Sequence, residues 1–315
     1  MAVTTVTAAG ATAGGRAVTT SDESRVPGEN KAGWLLFTPF LVLYVVFLIG
    51  PAIYGVVMSF FHTTLIHTGL GSWAGGANYM EAFKSSDFWW SMWHTTYFTL
   101  MTTPPLVVVA LIMAVLVERV RHFRWFFRLI FFAPYVVPSA AVGLIWGFLY
   151  AAQTGLFSTW VSQIGITPPN WLGDPSWALP SVALATIWWT VGFNFVLYLA
   201  GLQDIPRDLY EAAAVDGATP MQQVRSITIP LLGRTTLLVT ILQILASLKI
   251  FDQVYLLTAG GPNFTSRPAI EYIYDIGFTD YRAGYAAAAS MLFFVLILLV
   301  GAVFLVVSRR QQRGV

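Results

Sequence analysis

Cysteine is absent from the 315 residues, which excludes a disulfide framework, a thiolate metal site and a cysteine nucleophile. Charge is scarce as well: 10% of the residues are Asp, Glu, Lys or Arg, against about 25% in an ordinary soluble protein. With 57% hydrophobic residues beside so few charges, too little polar sequence remains to coat a soluble core, and the chain is expected to be a membrane protein. No G-x-x-x-x-G-K-[ST] phosphate loop occurs, nor any Gly-Lys pair, so the chain is not itself a P-loop ATPase. A net charge of +2 with thinly spread basic residues gives no reason to expect nucleic acid as a partner. His62 and His67 are five apart, on different helical faces and with no carboxylate beside them, so no metal site is expected.

What is present is a series of apolar runs, at 34–60, 93–117, 129–150, 178–202, 235–257 and 285–307. Each reaches the roughly 20 residues that cross a hydrocarbon core of about 30 Å. The expected fold class is therefore all-α and integral to the membrane, with six transmembrane helices. Pro51, Pro104, Pro105, Pro134 and Pro138 fall in or near these runs and are expected to mark kinks or helix starts. Residues 1–30 are rich in Ala, Thr, Gly and Ser and are expected to form a disordered cytoplasmic tail, with the membrane domain at 31–315. Thirteen of the seventeen Lys and Arg lie in the tail, between runs two and three, between runs four and five, and after run six. By the positive-inside rule both termini are expected in the cytoplasm.

The stretch between runs four and five, 203–234, carries seven charged residues among good helix formers. Pro206 suits a helix start and Gly217 a left-handed helix end, which predicts a helix over 206–216. Thr219, Pro220 and Gln222 form a Thr-x-x-Gln capping box with proline at the first helical position, predicting a second helix that Pro230 ends or kinks by Ile229. Two short helices hinged at Gly217 suit a surface element packed partly against something else. Their residues alone leave open whether they do more than join two spans, and Glu211 fits an i,i+4 surface pair with Arg207 equally well.

The pattern Glu211-Ala212-Ala213, three residues, Gly217, nine residues, Ile227-x-Ile229-Pro230 resembles the EAA loop of permease subunits in bacterial ABC importers, departing only in Ile229 where that pattern has Leu. FFAPYVVPSAAVGLIW at 131–146, GFNFVLYLAGLQDIPRDLYEAA from 192 and KIFDQVYLLTAGGPNFTSRP from 249 extend the resemblance to carbohydrate permeases of the maltose and glycerol-3-phosphate type over about 34–308. Unlike the maltose permease subunit, the chain carries no large extracytoplasmic insertion. The resemblance implies that 203–234 is a coupling loop docking on an ATP-binding subunit. Leu209, Ala212 and Ala213 would supply the docking face, Glu211 the polar contact and Gly217 the turn, with Asp216, Ile227 and Pro230 in the same motif. It further implies a multi-pass subunit of a bacterial cell membrane, joined by a second homologous permease, two ATP-binding subunits that hold ATP and Mg, and an extracytoplasmic solute-binding (lipo)protein. No cofactor is expected on this chain.

Sugar recognition needs amides, carboxylates and aromatic faces. Trp188, Asn194, Tyr198, Gln243, Asp252 and Gln253 offer these in runs four and five and are the candidate solute path, although aromatics at span ends also serve as interface anchors and single amides as interhelical glue. Lys249 and Asp252, three residues apart on one helical face, are expected to pair; in the alternative of a self-sufficient ion-coupled carrier they would be its centre. A membrane-embedded enzyme would need a converging acid, base or nucleophile set that the runs do not offer.

Overall fold

The computed structural model describes residues 29–120 and 122–313, and the chain divides into two units at Ile53 and Tyr54. The expected tail at residues 1–28 lies outside the described residues, and helix begins at Glu29, two residues inside the expected boundary. Helix α1 (Glu29–Tyr44) passes through a π turn (Val45–Ile49) into α2 (Gly50–Met58). Pro51 accounts for the widened turn, because it has no N–H to give the carbonyl four residues back, and the preceding Gly50 N–H bonds to the carbonyl of Val45 instead.

In the second unit α3 (Ala77–Lys84) precedes α4 (Ser86–Arg119), which Ser85 caps by accepting the Phe88 N–H at 3.2 Å. At 34 residues, or about 51 Å, α4 is longer than a bilayer core is thick and starts seven residues before the apolar run predicts. Helices α5 (Arg124–Val136), α6 (Ser139–Leu149), α7 (Leu156–Gln163) and α8 (Ala178–Gln203) follow. Next come the short α9 (Arg207–Val215), α10 (Pro220–Gln223) and α11 (Ile229–Leu231), with a π turn (Val224–Thr228) between the last two. Helices α12 (Gly233–Leu248), α13 (Asp252–Leu257), α14 (Ala269–Tyr274) and α15 (Ala283–Arg313) complete the chain. The all-helical expectation holds: strand content among the described residues is one isolated bridge, Phe61 with Trp73.

Among the described residues four helices are long and apolar enough to cross a membrane, Gly33–Met58, Ser86–Arg119, Ala178–Gln203 and Ala283–Phe304, and the number reaches six if each of two bent pairs is one span. The third expected span is one of the pairs. It is not a single rod over 129–150, because α5 and α6 meet at 95°. Val137 is extended there (φ −70°, ψ 132°), as a residue before proline prefers, and Pro138 cannot donate into the preceding turn. The other pair is Pro220–Leu231 with α12, bent by 63°.

The fifth expected span, 235–257, is likewise interrupted. Helix α12 stops at Leu248 after 16 residues, about 24 Å and short of the bilayer core, and Phe251 (φ −147°, ψ −64°) turns the chain before α13. Lys249 and Asp252 therefore share no helical face. Both are exposed, and no ion pair joins them.

Packing in the centre follows from small residues at helical spacing. Leu106, Ala110 and Ala114 lie four apart on α4, and this stripe meets Val191, Phe195, Tyr198 and Leu202 of α8 and Val239 of α12. Association of helices in lipid depends on close van der Waals contact, and alanine allows the backbones to approach. Backbones also approach closely at Gly192, where an added Cβ would lie 2.1 Å from the Phe131 carbonyl oxygen. Thr95, Thr99 and Thr102 return their hydroxyls to carbonyls four residues earlier at 2.8 to 2.9 Å, whereas the buried Thr103 hydroxyl has no partner.

Candidate functional site

The helical pair between α8 and α12 is built by its end signals. Gly217 has φ +79°; its N–H bonds to the Ala214 carbonyl at 3.1 Å and the Ala218 N–H reaches back to Ala213 at 2.9 Å, the two bonds of a Schellman motif. Thr219 and Gln222 then close the predicted capping box with Pro220 at the first helical position. Pro230 does not end the helix at Ile229. The chain widens into the π turn, where the Ile229 N–H bonds to Val224, and helix continues to Leu231.

The pair has an inner and an outer face. Tyr210 and Ile227 pack against the α4–α8 core, the Tyr210 hydroxyl meets Thr228 Oγ1 at 2.9 Å, and Arg119 at the end of α4 donates to the Pro220 carbonyl at 2.6 Å. Leu209, Glu211, Ala212, Asp216, Gly217 and Pro230 are exposed, while Ala213 is half-buried. Ile227 thus differs from the other expected docking residues: it anchors the pair to the spans. Glu211 makes no ion pair with Arg207. Ala213, Asp216, Gly217 and Ile227 share the lining of a shallow cavity of about 350 Å³ at the hinge.

Because nothing lies within 4 Å of a Cβ added at Gly217, substitution there acts through the backbone alone. Gly217→Val is expected to strain the hinge by about 1–2 kcal/mol, whereas Gly217→Asn, a residue that tolerates the left-handed region, keeps it. Faster hydrogen exchange at the Ala218 amide in the valine variant, and near-normal exchange in the asparagine variant, is the expected readout.

A second cavity, of about 340 Å³, opens where α12 breaks. Asn194, Gln243, Asp252 and Gln253 line it together with Lys249 and Trp189. Asn194 Nδ2 donates to Gln243 Oε1 at 3.0 Å, Gln243 Nε2 to Ser247 Oγ at 2.9 Å, and Ser247 meets Thr102 at 3.0 Å, a polar chain across α8, α12 and α4. Thr102 and Ser247 have no distinguishing mark in the sequence, since hydroxyls are common in spans. Irregular backbone at membrane depth is tolerated where it borders a cavity, which fits the break at 249–251. Two expected members do not line this cavity. Trp188 packs its ring on Trp146 at 5.6 Å, and Tyr198 is fully buried in the α4–α8 core.

The Ser86 end of α4 carries an ionic cluster that the sequence did not single out. Arg267 is 7% exposed and lies 3.5 Å from Asp275 and 3.9 Å from Asp87. Burial, reinforced by the Asp275 charge and opposed by Arg267, pushes the Glu271 carboxyl up to about 8. Burial also raises Asp275, against the pull of Arg267. Glu271 is 1% exposed, and its Oε2 has no hydrogen-bond partner.

Comparison with known proteins gives this arrangement a context. The family described as binding-protein-dependent transport system inner membrane component matches residues 67–313. The trehalose/maltose transport system permease protein MalF of Thermococcus litoralis is 34% identical over 262 residues, covering 82% of this chain and 88% of that one. The sulfoquinovosyl glycerol transport system permease protein SmoG of Agrobacterium fabrum is 30% identical over 296 residues, covering 91% and 96%. In three dimensions the chain resembles a bacterial ABC transporter involved in the import of the acidic polysaccharide alginate, with a TM-score of 0.78 and 25% identity over 89% of this chain and 96% of that one. None of these findings favours a self-sufficient carrier built on Lys249 and Asp252, and the broken helix between those residues removes the face they were to share. The chain belongs to the family of binding-protein-dependent transport system inner membrane components and is a permease subunit of an ABC importer.

Proposed function

We propose that the chain forms one half of the membrane pore of an ATP-driven importer for a carbohydrate, polyol or related solute. A second homologous permease forms the other half, an extracytoplasmic binding protein delivers the solute, and two ATP-binding subunits carry ATP and Mg. The membrane domain extends over 31–315 in a bacterial inner membrane with both termini in the cytoplasm. The observation that carries the reading is the helical pair within 203–234, anchored inward by Tyr210 and Ile227 while Leu209, Glu211 and Ala212 stay exposed. An element fixed on one face and open on the other suits transmission of a partner's motion to the spans.

In this reading closure of the ATP-bound motor displaces α9–α11 as one body. The Tyr210–Thr228 contact ties α9 to the turn before α11, while the Arg119–Pro220 bond and the packing of Tyr210 and Ile227 on the core pass that displacement to α4 and α8. The solute path runs by the cavity at the α12 break, where Asn194, Gln243, Asp252 and Gln253 offer amide and carboxylate groups to hydroxyls. The permease names of relatives for trehalose/maltose, sulfoquinovosyl glycerol and lactose support a carbohydrate class of solute. The test is to tag the chain in its native host, extract it in mild detergent and identify its companions by mass spectrometry. An ATP-binding protein and a second permease are expected; recovery of the chain alone in several detergents would overturn the proposal.

A further inference from the structure

Four arginines gather around a cavity at the Arg119 end of α4, on the inner side of α9–α11. This cavity, of about 530 Å³, is lined by Arg119, Arg124, Arg128 and Arg207 with one acid, Glu118. Its size falls within the roughly 300–1,000 Å³ usual for ligand sites.

The arginines are unevenly satisfied. Arg124 is held by Glu118 Oε1 at 3.0 Å and by the Val120 carbonyl at 2.5 Å, and Arg119 by Pro220. Arg128 is 3.8 Å from Glu118 Oε2, too far for a hydrogen bond, and its buried Nε has no partner. Arg207 makes no ion pair among the described residues.

Arg124 and Arg207 are the first residues of α5 and α9, where the helix dipole already carries partial positive charge and a cation is disfavoured. The ends of α4 at Arg119 and α8 at Gln203 offset these two helix starts, so the positive balance of the lining rests on four guanidinium groups against one carboxylate; an oxyanion would relieve it, and guanidinium groups grip phosphate oxygens in pairs. The neighbouring Phe123, Trp125 and Phe126 are exposed, as an aromatic belt at a lipid–water boundary would be. Basic pockets between membrane helices at that level suit phospholipid headgroups.

We infer that the cavity bounded by Glu118–Arg128 and by α9 with the Val224–Thr228 turn is a binding site for a phosphate oxyanion, supplied by an anionic lipid headgroup or by a free phosphate ester. Arg128 of α5 and Arg207 of α9 grip the anion together, and its occupancy braces α9–α11 against α4. The site stands on its own arginines, whether or not the outer face of α9 docks an ATPase.

The test is thermal unfolding of the full chain in neutral detergent, followed through its tryptophans, with added phosphatidylglycerol, phosphatidylcholine or millimolar inorganic phosphate. Phosphatidylglycerol is expected to raise the midpoint by several degrees where phosphatidylcholine does not, because a ligand bound only to the folded state stabilises it. The shift should at least halve in R128Q/R207Q. A comparable, arginine-dependent shift with inorganic phosphate alone identifies a free phosphate ester as the source. Should R128Q/R207Q fail to fold, Glu118→Gln reads the same site in the opposite sense, since removing the only acid in the lining enlarges the shift. No selective shift with either probe, an undiminished shift in R128Q/R207Q, or a smaller one in Glu118→Gln overturns the assignment.

Discussion

Glu211→Arg is expected to cut solute uptake by roughly a hundredfold while the chain remains inserted at normal levels. The side chain is exposed on α9, makes no ion pair among the described residues and takes no part in the core, so reversing its charge alters folding by no more than about 0.5 kcal/mol. In the proposed contact with an ATP-binding subunit the same reversal removes the polar contact that Glu211 supplies, and disrupting a buried charged contact costs about 2–5 kcal/mol. Measuring uptake against the amount of chain in the membrane separates these effects. Normal uptake at normal abundance removes Glu211 from the coupling contact.

The second large effect is structural. Gly192→Ala adds a single methyl group, yet its Cβ falls 2.1 Å from the Phe131 carbonyl oxygen and 2.9 Å from Phe132 Cα, neither of which can rotate aside. Helices α5 and α8 must separate, and overpacking of this kind costs about 1–3 kcal/mol or more. Gly233→Ala is the matched control: nothing lies within 4 Å of the added Cβ, and alanine is the better helix former by about 1 kcal/mol. Thermal unfolding of the purified chain is expected to come earlier in Gly192→Ala and no earlier in Gly233→Ala. Equal stability of the two variants would mean that α5 and α8 do not meet as closely as described.

These two sites also mark what the sequence could and could not reveal. The hinge at Gly217 and the Thr219–Gln222 box were readable because each rests on hydrogen bonds between residues a few positions apart. The close approach at Gly192 depends on residues about sixty positions away, and a lone glycine in an apolar run carries no sign of it. The same limit separates Asn194 and Gln243, recognised as polar groups in spans, from Thr102 and Ser247, which complete their hydrogen-bonded chain across 145 positions. Apolar runs located the spans but concealed two interruptions. Pro138 signalled the first, and it bends the chain by 95° rather than gently kinking it. The second, at 249–251, has no proline or glycine to announce it, and so Lys249 and Asp252 looked like neighbours on a helix that stops between them.

The natural lack of cysteine makes the central claim directly accessible. Ala212→Cys places a single thiol on the exposed face of α9, and a short bifunctional crosslinker applied to membranes of the native host captures whatever docks there. The account predicts a crosslinked product of this chain with an ATP-binding subunit, changing in yield when ATP is added. Membranes that import solute normally yet give no crosslink to an ATP-binding subunit from Ala212→Cys or from Leu209→Cys would contradict it.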